Sequence, residues 1–225
     1  MISYPGRRGR LTAGQTRATE NNLDNILDID QISQFFTSLA DERDTRPIGV
    51  EIGFGTGHAL IEWARQKPEW LLIGIELYDP GIGSLMVRKN EQLVENIFVF
   101  RGDAREVFEK FDDNQIQEIR CFFPDPWPKT RHHKRRLINS EFVRLATTKL
   151  VPGGQFLLAS DWQDYAAVML KVLSGESGLE NLFGDEYAPR ANVRPHTRFE
   201  DKGIKRGHEI RDLCFHKKAD TRLSK

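Results

Sequence analysis

A short apolar segment, followed at once by a glycine-rich turn and a helical pattern, most constrains the fold of this chain. Residues 47–52 (PIGVEI) are the apolar segment, residues 53–57 (GFGTG) the turn, and residues 59–64 carry apolar side chains at helical spacing. Glycine permits a tight backbone and the close approach of a ligand, and a helix N-terminus offers free N–H groups. Strand, glycine turn and helix in this order are typical of a nucleotide-binding domain.

The alternation of strand and helix continues along the chain. Apolar runs predict further buried strands at 71–75, 96–100, 115–123 and 155–159, with helical spacing between them. An alternating run at 208–215 predicts a last, antiparallel strand. Repeated strand–helix units favour an α/β fold with a mostly parallel sheet.

Acidic residues stand at or just after the ends of the early strands. Glu51 lies beside the glycine turn, Glu76 ends the second strand, Asp103 follows the third and Asp125 the fourth. The carboxyl ends of parallel strands form the edge where ligands bind, and Glu76, about twenty residues past the turn, suits the two hydroxyls of a ribose. Asp103 is an acceptor for an adenine amino group or the cap of the next helix, and residue type alone favours the cap.

The spacing of the glycines narrows the choice of cofactor. His58 follows Gly57, so the dinucleotide spacing G-x-G-x-x-G is not met. This disfavours a pyrophosphate ligand and therefore an NAD-dependent oxidoreductase. A nucleoside-binding edge without that spacing favours S-adenosylmethionine.

The segment 121–136 (CFFPDPWPKTRHHKRR) joins an apolar strand end to a stiff loop and then to a run of positive charge. Three prolines fix their own φ angles, and Pro126 biases Asp125 toward extended geometry. The loop therefore presents one carboxylate beside the indole of Trp127 with little conformational freedom. A charge run alone is usually a solvated surface, but the braced Asp-Trp pair at a strand end favours a functional site.

Asp161 follows the fifth predicted strand. Its position predicts the N-cap of the next helix. It also falls on the same predicted sheet edge as Asp125, which makes it a second candidate for the site.

The distribution of charge bears on the partner. Lys plus Arg and Asp plus Glu number 33 each, so the formal net charge is zero and only local clusters can indicate nucleic acid. The first seventeen residues carry four arginines and no acid. We predict a flexible basic arm over residues 1–30, a single domain over 31–217 and a tail over 218–225. The arm is either an RNA contact or an ordinary frayed terminus.

Two cysteines, Cys121 and Cys214, lie in apolar strand-like runs. We expect both to be reduced and buried, as in a cytoplasmic protein. No apolar run reaches the length of a membrane span, so we expect no membrane partner. The sequence indicates neither a metal site nor an obligate protein partner, and it leaves monomer and homodimer open.

Together these motifs resemble the bacterial tRNA (guanine-N7)-methyltransferase family. The resemblance is carried by GFGTG, Glu76, Asp103, PDPWPKTRHHKRR (124–136), SDW (160–162) and TRFE (197–200), and RRGRLTAGQ (7–15) resembles that family's basic arm. It implies a Rossmann-like class I methyltransferase fold, with a mostly parallel seven-stranded sheet, helices on both faces and an antiparallel last strand. It also implies S-adenosylmethionine as cofactor, tRNA as partner and guanine 46 of the variable loop as target.

The resemblance and the glycine turn together assign site residues. The expected cofactor-binding residues are Glu51, Gly53, Gly55, Gly57, Glu76, Asp103 and Asp125, of which Asp125 is also the expected catalytic residue. The expected substrate-binding residues are Lys129, Asp161, Thr197, Arg198, Phe199 and Glu200. The expected RNA-contacting residues are Arg131, His132, His133, Lys134, Arg135 and Arg136.

The chemistry of guanine N7 sets modest demands on the site. Its lone pair lies free in the ring plane, so attack on a sulfonium methyl requires alignment and charge stabilisation but no general base. Asp125 suits both tasks, while Trp127 either stacks on the guanine or packs under the loop. The alternatives are another S-adenosylmethionine-dependent RNA methyltransferase, such as one acting on an amine, and a non-catalytic RNA-binding module. The latter leaves the acids at the sheet edge without a purpose.

Overall fold

The computed structural model describes residues 9–189, 200, 207 and 209–219. The chain divides into two compact units, Met1–Phe111 and Asp112–Lys225. Both alternate helices with strands, and all pairs among the early strands are parallel. The predicted α/β class is therefore confirmed.

From residue 9 onward, the first unit contains four parallel strands in the order β1-β4-β3-β2. Their bounds are β1 Ile26–Asp28, β2 Ile48–Ile52, β3 Leu71–Glu76 and β4 Ile97–Arg101. The helices are α1 Ala13–Glu20, α2 Ile32–Asp41, α3 His58–Gln66, α4 Asp79–Glu91 and α5 Ala104–Phe108. Strands β2 and β3 are buried almost throughout because apolar side chains face both sides of the sheet, as parallel strands require.

Helix α1 and strand β1 lie within residues 1–30, where the sequence predicts a flexible arm. Residues 13–20 form α1, and residues 26–28 form β1, which pairs with β4. Thr12 and Gln15 form a reciprocal capping box that starts α1. The Gln15 side chain also donates to the carbonyl oxygen of Pro80 at 3.2 Å and to Ser84 Oγ at 2.9 Å on α4. Because this segment is polar, its sequence gives no apolar pattern that would predict these contacts.

Helices α1 and α4 approach closely at a glycine. A Cβ on Gly83 would lie 2.8 Å from Gln15 Cβ and 2.9 Å from Leu11 Cδ2. Farther along, Lys89 Nζ donates to Asn22 Oδ1 at 3.3 Å, and burial lowers the pKa of this lysine. The segment from Leu11 to Asn22 therefore contacts α4 at several points along its length.

The described part of the second unit has four strands in the order β5-β6-β8-β7. Their bounds are β5 Ile116–Phe122, β6 Leu150–Ser160, β7 Leu179–Asn181 and β8 Arg211–Lys217, with helices α6 Ser140–Lys149 and α7 Gln163–Ser174. Strands β5 and β6 are parallel, whereas β8 is antiparallel to both β6 and β7. The predicted antiparallel last strand is confirmed. The described part of the chain contains eight strands where seven are predicted, and β1 is the addition.

Cys121 and Cys214 are both free and buried, as expected. Burial, with a smaller contribution from Glu118, raises the pKa of the Cys214 thiol to about 11. Among the described residues, no helix is long and apolar enough to cross a membrane.

Candidate active site

The glycine turn follows β2 directly and takes backbone angles that other residues rarely adopt. Gly53, Gly55 and Gly57 have φ of 69°, 57° and 77°. A Cβ on Gly57 would lie 2.5 Å from Leu85 Cδ1, so this glycine is required by packing against α4. A Cβ on Gly53 would meet no described atom within 4 Å, so Gly53 borders open space. The Gly57 side of the turn is therefore packed against α4, whereas the Gly53 side is open to a ligand.

The carboxylate of Glu76 is oriented by backbone N–H groups. Its Oε2 accepts from the Gly55 N–H at 3.1 Å, and its Oε1 accepts from the N–H groups of Leu77 and Tyr78 at 2.8 and 3.1 Å. Each carboxylate oxygen can accept more than one hydrogen bond. The Glu76 carboxylate thus connects the glycine turn to the end of β3. Its oxygens can also accept hydrogen bonds from the hydroxyl groups of a ligand.

Glu51 and Asp103 complete the acidic residues of the first unit. Glu51 lies in β2 and is only 3% exposed. Asp103 is the N-cap of α5, because its Oδ1 accepts from the Arg105 N–H at 2.9 Å, and the predicted cap is confirmed. The Arg105 guanidinium lies 3.4 Å from the same oxygen.

The register of the strands brings these residues to one edge. Ile52 pairs with Ile75, and Glu76 pairs with Arg101, so β2, β3 and β4 end side by side. Glu51, the glycine turn, Glu76 and Asp103 therefore share one edge of the first unit, the edge at which parallel sheets bind ligands.

The loop after β5 presents Asp125 between two strained residues. Phe123 and Trp127 have φ of 55° and 45°, although neither is glycine. Non-glycine residues in this region cost about 1–3 kcal/mol each and cluster at functional sites. The Phe123 N–H donates to the carbonyl oxygen of Ala159 at 2.8 Å, which fixes the loop to β6, while Asp125 is exposed. Asp125 therefore lies exposed on a loop with a strained residue on each side.

The basic run after this loop folds as a short 3₁₀ helix, Thr130–Arg135. The Arg135 guanidinium lies 4.9 Å from the Trp127 ring centroid, and the His132 ring meets the same indole at right angles with centroids 5.9 Å apart. Partial burial, together with the charge of Arg135 and its neighbours, lowers the pKa of His132. The exposed cations of the run are Lys129, Arg131 and Lys134, whereas His132, His133 and Arg135 are half-buried.

Arg136 differs from the other cations of the run, because it is buried and 4% exposed. Its Nε donates to the carbonyl oxygen of Pro126 at 2.9 Å, and its terminal nitrogen contacts Asp164 Oδ2 at 2.6 Å. The guanidinium also lies 4.7 Å from the ring centroid of Tyr165. The sequence groups Arg136 with the expected RNA-contacting residues. Only the apolar spacing of α7, which buries Tyr165, indicates an internal partner for it in the sequence.

Asp161 follows β6 and is half-buried. The N-cap of α7 is Trp162, whose N–H donates to Ser160 Oγ at 3.1 Å, so the prediction that Asp161 caps this helix is wrong. Because Phe122 pairs with Ala159 in the parallel β5–β6 ladder, Asp161 and the Asp125 loop leave the same edge of the second unit.

The remaining predicted substrate residues lie near the end of the chain. Thr197, Arg198 and Phe199 fall outside the described residues. Glu200 is described and is buried, with 1% of its surface exposed.

Sequence comparison finds relatives over nearly the whole chain. Residues 45–213 match a family described as putative methyltransferase. A tRNA (guanine-N(7)-)-methyltransferase of Idiomarina loihiensis is 42% identical over 215 residues, which cover 95% of this chain and 87% of that protein. One of Salmonella typhimurium is 41% identical over 216 residues, covering 95% and 90%.

Solved structures share the fold at low sequence identity. A 30S ribosomal A1408 methyltransferase from an uncultured bacterium superposes with a TM-score of 0.56 at 14% identity, covering 80% of this chain and 93% of that one. The aminoglycoside resistance methyltransferase NpmB1 gives 0.54 at 14% identity, covering 80% and 92%. These similarities confirm a methyltransferase-type α/β fold.

Proposed function

The chain belongs to the bacterial tRNA (guanine-N7)-methyltransferase family, and from this premise we propose that it methylates N7 of a guanine in tRNA, at position 46 of the variable loop. The observation that carries the proposal is the pair of features at the strand ends. One is a glycine turn open at Gly53 beside an oriented Glu76, and the other is an exposed Asp125 on a strained loop followed by cations.

S-adenosylmethionine fits the edge of the first unit. The open side of Gly53 leaves room for a ligand, and Glu76, held by three backbone N–H groups, is suited to accept from two ribose hydroxyls. Glu51 and Asp103 supply further carboxylates at the same edge, and Gly55 and Gly57 shape the turn. When bound, S-adenosylmethionine supplies a methyl group activated by its sulfonium centre.

Asp125 aligns the target and stabilises the positive charge that develops on the purine. No proton leaves N7 before attack, so the carboxylate acts electrostatically and as a hydrogen-bond acceptor, not as a general base. The prolines on both sides of Asp125 limit the backbone freedom of the loop, so little conformational entropy is lost when the carboxylate is aligned with the substrate.

The cations that follow the loop bind the tRNA backbone. Lys129, Arg131 and Lys134 are exposed and neutralise phosphates, with Arg135, His132 and His133 beside them. Because such contacts carry no sequence information, they position the tRNA and leave base selection to the site itself. Asp161, at the same edge as the loop, and Thr197, Arg198, Phe199 and Glu200 complete the substrate site in this proposal.

The test is methyl transfer to a tRNA transcript with guanine or adenine at position 46. We expect transfer only to the guanine transcript, and strand scission by borohydride and aniline at that nucleotide, because N7-methylguanosine is labile to them. Methylation of an amine would leave the strand intact and indicate another RNA methyltransferase. Absence of S-adenosylmethionine binding in calorimetry would instead indicate a non-catalytic RNA-binding module.

Asp125→Asn tests the catalytic residue. We expect the turnover rate to fall by about 100-fold or more, since a charge that stabilises the transition state is removed. The melting temperature should not change, because Asp125 is exposed. Asp185→Asn, the same change at another exposed position of the second unit, is the control. Full turnover by Asp125→Asn would remove this carboxylate from the mechanism.

A further inference from the structure

The loop that presents Asp125 needs an external restraint. Its two left-handed residues, Phe123 and Trp127, stand two positions before and after Asp125. Strain of this kind persists only where the surroundings determine the conformation. The Phe123 N–H is held by Ala159 on β6, which restrains the start of the loop.

Arg136 restrains the other end. Its Nε donates to the carbonyl oxygen of Pro126, which belongs to the peptide group that joins Pro126 to the strained Trp127. A guanidinium offers several donors in a fixed plane, so Arg136 can hold that carbonyl and the Asp164 carboxylate at once. The ring of Tyr165 lies against the same guanidinium.

The anchors of Arg136 are themselves fixed. Asp164 and Tyr165 lie in the first turn of α7, and Tyr165 is fully buried. The Tyr165 hydroxyl accepts from the Ile138 N–H at 3.0 Å, two residues after Arg136. The chain on both sides of the guanidinium is therefore tied to one helix.

We propose that Arg136 is a positioning residue that holds the Asp125 loop in its strained conformation, with Asp164 as its anchor. It acts through the Pro126 carbonyl and does not contact the tRNA backbone. Its burial and its pairing with a carboxylate separate it from Lys129, Arg131 and Lys134, which are exposed. The inference deepens the proposed methyl transfer and depends on it for its kinetic test alone.

Arg136→Lys distinguishes positioning from phosphate binding. Lysine keeps the positive charge and serves well at a phosphate, but it lacks the planar fork needed to hold two acceptors. For a positioning residue we expect the turnover rate to fall by about 10- to 100-fold, since small misplacements of a catalytic group have effects of this size. The KM for tRNA and the salt dependence of tRNA binding should stay as in the wild type. For a phosphate contact, the turnover rate would be unchanged.

Amide hydrogen exchange provides a test that does not need activity. Three prolines carry no N–H, so the loop has amides only at Phe123, Asp125, Trp127 and Lys129. We expect peptides covering this loop to exchange faster in Arg136→Lys, because the loop opens more often. Arg144→Lys, the same change at an exposed position on α6, is the matched control and should alter neither exchange nor turnover.

Asp164→Asn keeps the test decisive if Arg136→Lys does not fold. Asparagine keeps an acceptor oxygen for the Arg136 guanidinium, and the Asp164 side chain is 61% exposed, so we expect this variant to fold and to show a smaller change in the same direction in both measurements. Wild-type exchange and turnover in the folded variants would overturn the positioning role. Failure of the wild type to form N7-methylguanosine would refute the proposed function, while faster loop exchange would still support the role of Arg136.

Discussion

The glycine turn permits a prediction that separates packing from ligand binding, by comparing Gly57→Ala with Gly53→Ala. Both positions have positive φ, so either alanine carries a conformational cost of about 1–2 kcal/mol. At Gly57 the new Cβ would also lie 2.5 Å from Leu85 Cδ1, 2.9 Å from its Cβ and 3.2 Å from its Cα. The last two atoms cannot move without shifting α4, and overpacking adds about 1–3 kcal/mol. We therefore expect Gly57→Ala to destabilise the protein by about 2–5 kcal/mol.

At Gly53 only the conformational cost applies, because no described atom lies within 4 Å of the added Cβ. Gly153, with φ of 77° and equally open surroundings, is the control for that cost away from the glycine turn. Melting temperatures should therefore fall least, and to a similar degree, for Gly53→Ala and Gly153→Ala. Gly57→Ala should melt lower still, by about 2–4 °C for each additional kcal/mol at this chain length.

Calorimetric titration with S-adenosylmethionine completes the comparison. We expect Gly53→Ala to bind it at least 10-fold more weakly, since the methyl group enters the open side of the turn, and Gly153→Ala to bind it as the wild type does. Equal melting temperatures for Gly57→Ala and Gly153→Ala would refute the packing role of Gly57. Unchanged affinity in Gly53→Ala would show that the ligand lies elsewhere.

Three further predictions concern other parts of the chain. Arg135→Gln should reduce the slope of log Kd for tRNA against log salt by about 1, measured by filter binding, because one phosphate contact is lost; an unchanged slope would exclude that contact. The pKa of Cys214 is about 11, above the ordinary thiol value, so its contribution to stability is present below pH 9 and is lost as the pH rises through 11; urea denaturation should show a Cys214-dependent loss of about 2–3 kcal/mol over that range, absent in Cys214→Ala. Gln15→Ala removes the bonds to Pro80 and Ser84 and half of the capping box, so trypsin should cleave at Arg17 faster than in the wild type; equal cleavage rates would show that α1 is held by other contacts.

The sequence predicts the central strands well because their residues are almost all apolar and buried. The strand predicted at 71–75 appears as β3, Leu71–Glu76, and that at 96–100 as β4, Ile97–Arg101. The helix and strand within residues 13–28 are not foreseen from the sequence, for the opposite reason. Helix α1 buries only Ala18 and is joined to α4 mainly by polar side chains, so it has no apolar periodicity to detect.

The candidate site likewise has features that the sequence predicts and features that it does not. The positions of Glu76, Asp103 and the Asp125 loop follow from strand ends, which the sequence gives directly. The prediction that Asp161 caps α7 is wrong because α7 begins at Gln163, with Trp162 as its N-cap. Sequence patterns locate helices better than they locate the first residue of a helix. The positive φ of Phe123 and Trp127 could not be foreseen, since an aromatic residue is a poor choice for that conformation and only tertiary contacts impose it.

The difference between Arg135 and Arg136 shows why a run of charge cannot be interpreted residue by residue from sequence alone. The two arginines are adjacent and chemically identical, yet one guanidinium lies over the Trp127 ring and the other is buried beneath the loop. A buried arginine is stable only if its charge is paired and its donors are used, and the Asp164 carboxylate and the Pro126 carbonyl meet both requirements. The contacts that satisfy the buried guanidinium of Arg136 are therefore the same contacts that hold the loop. The contacts of the buried Arg136 therefore offset the strain of the loop, and the orientation of Asp125 depends on them.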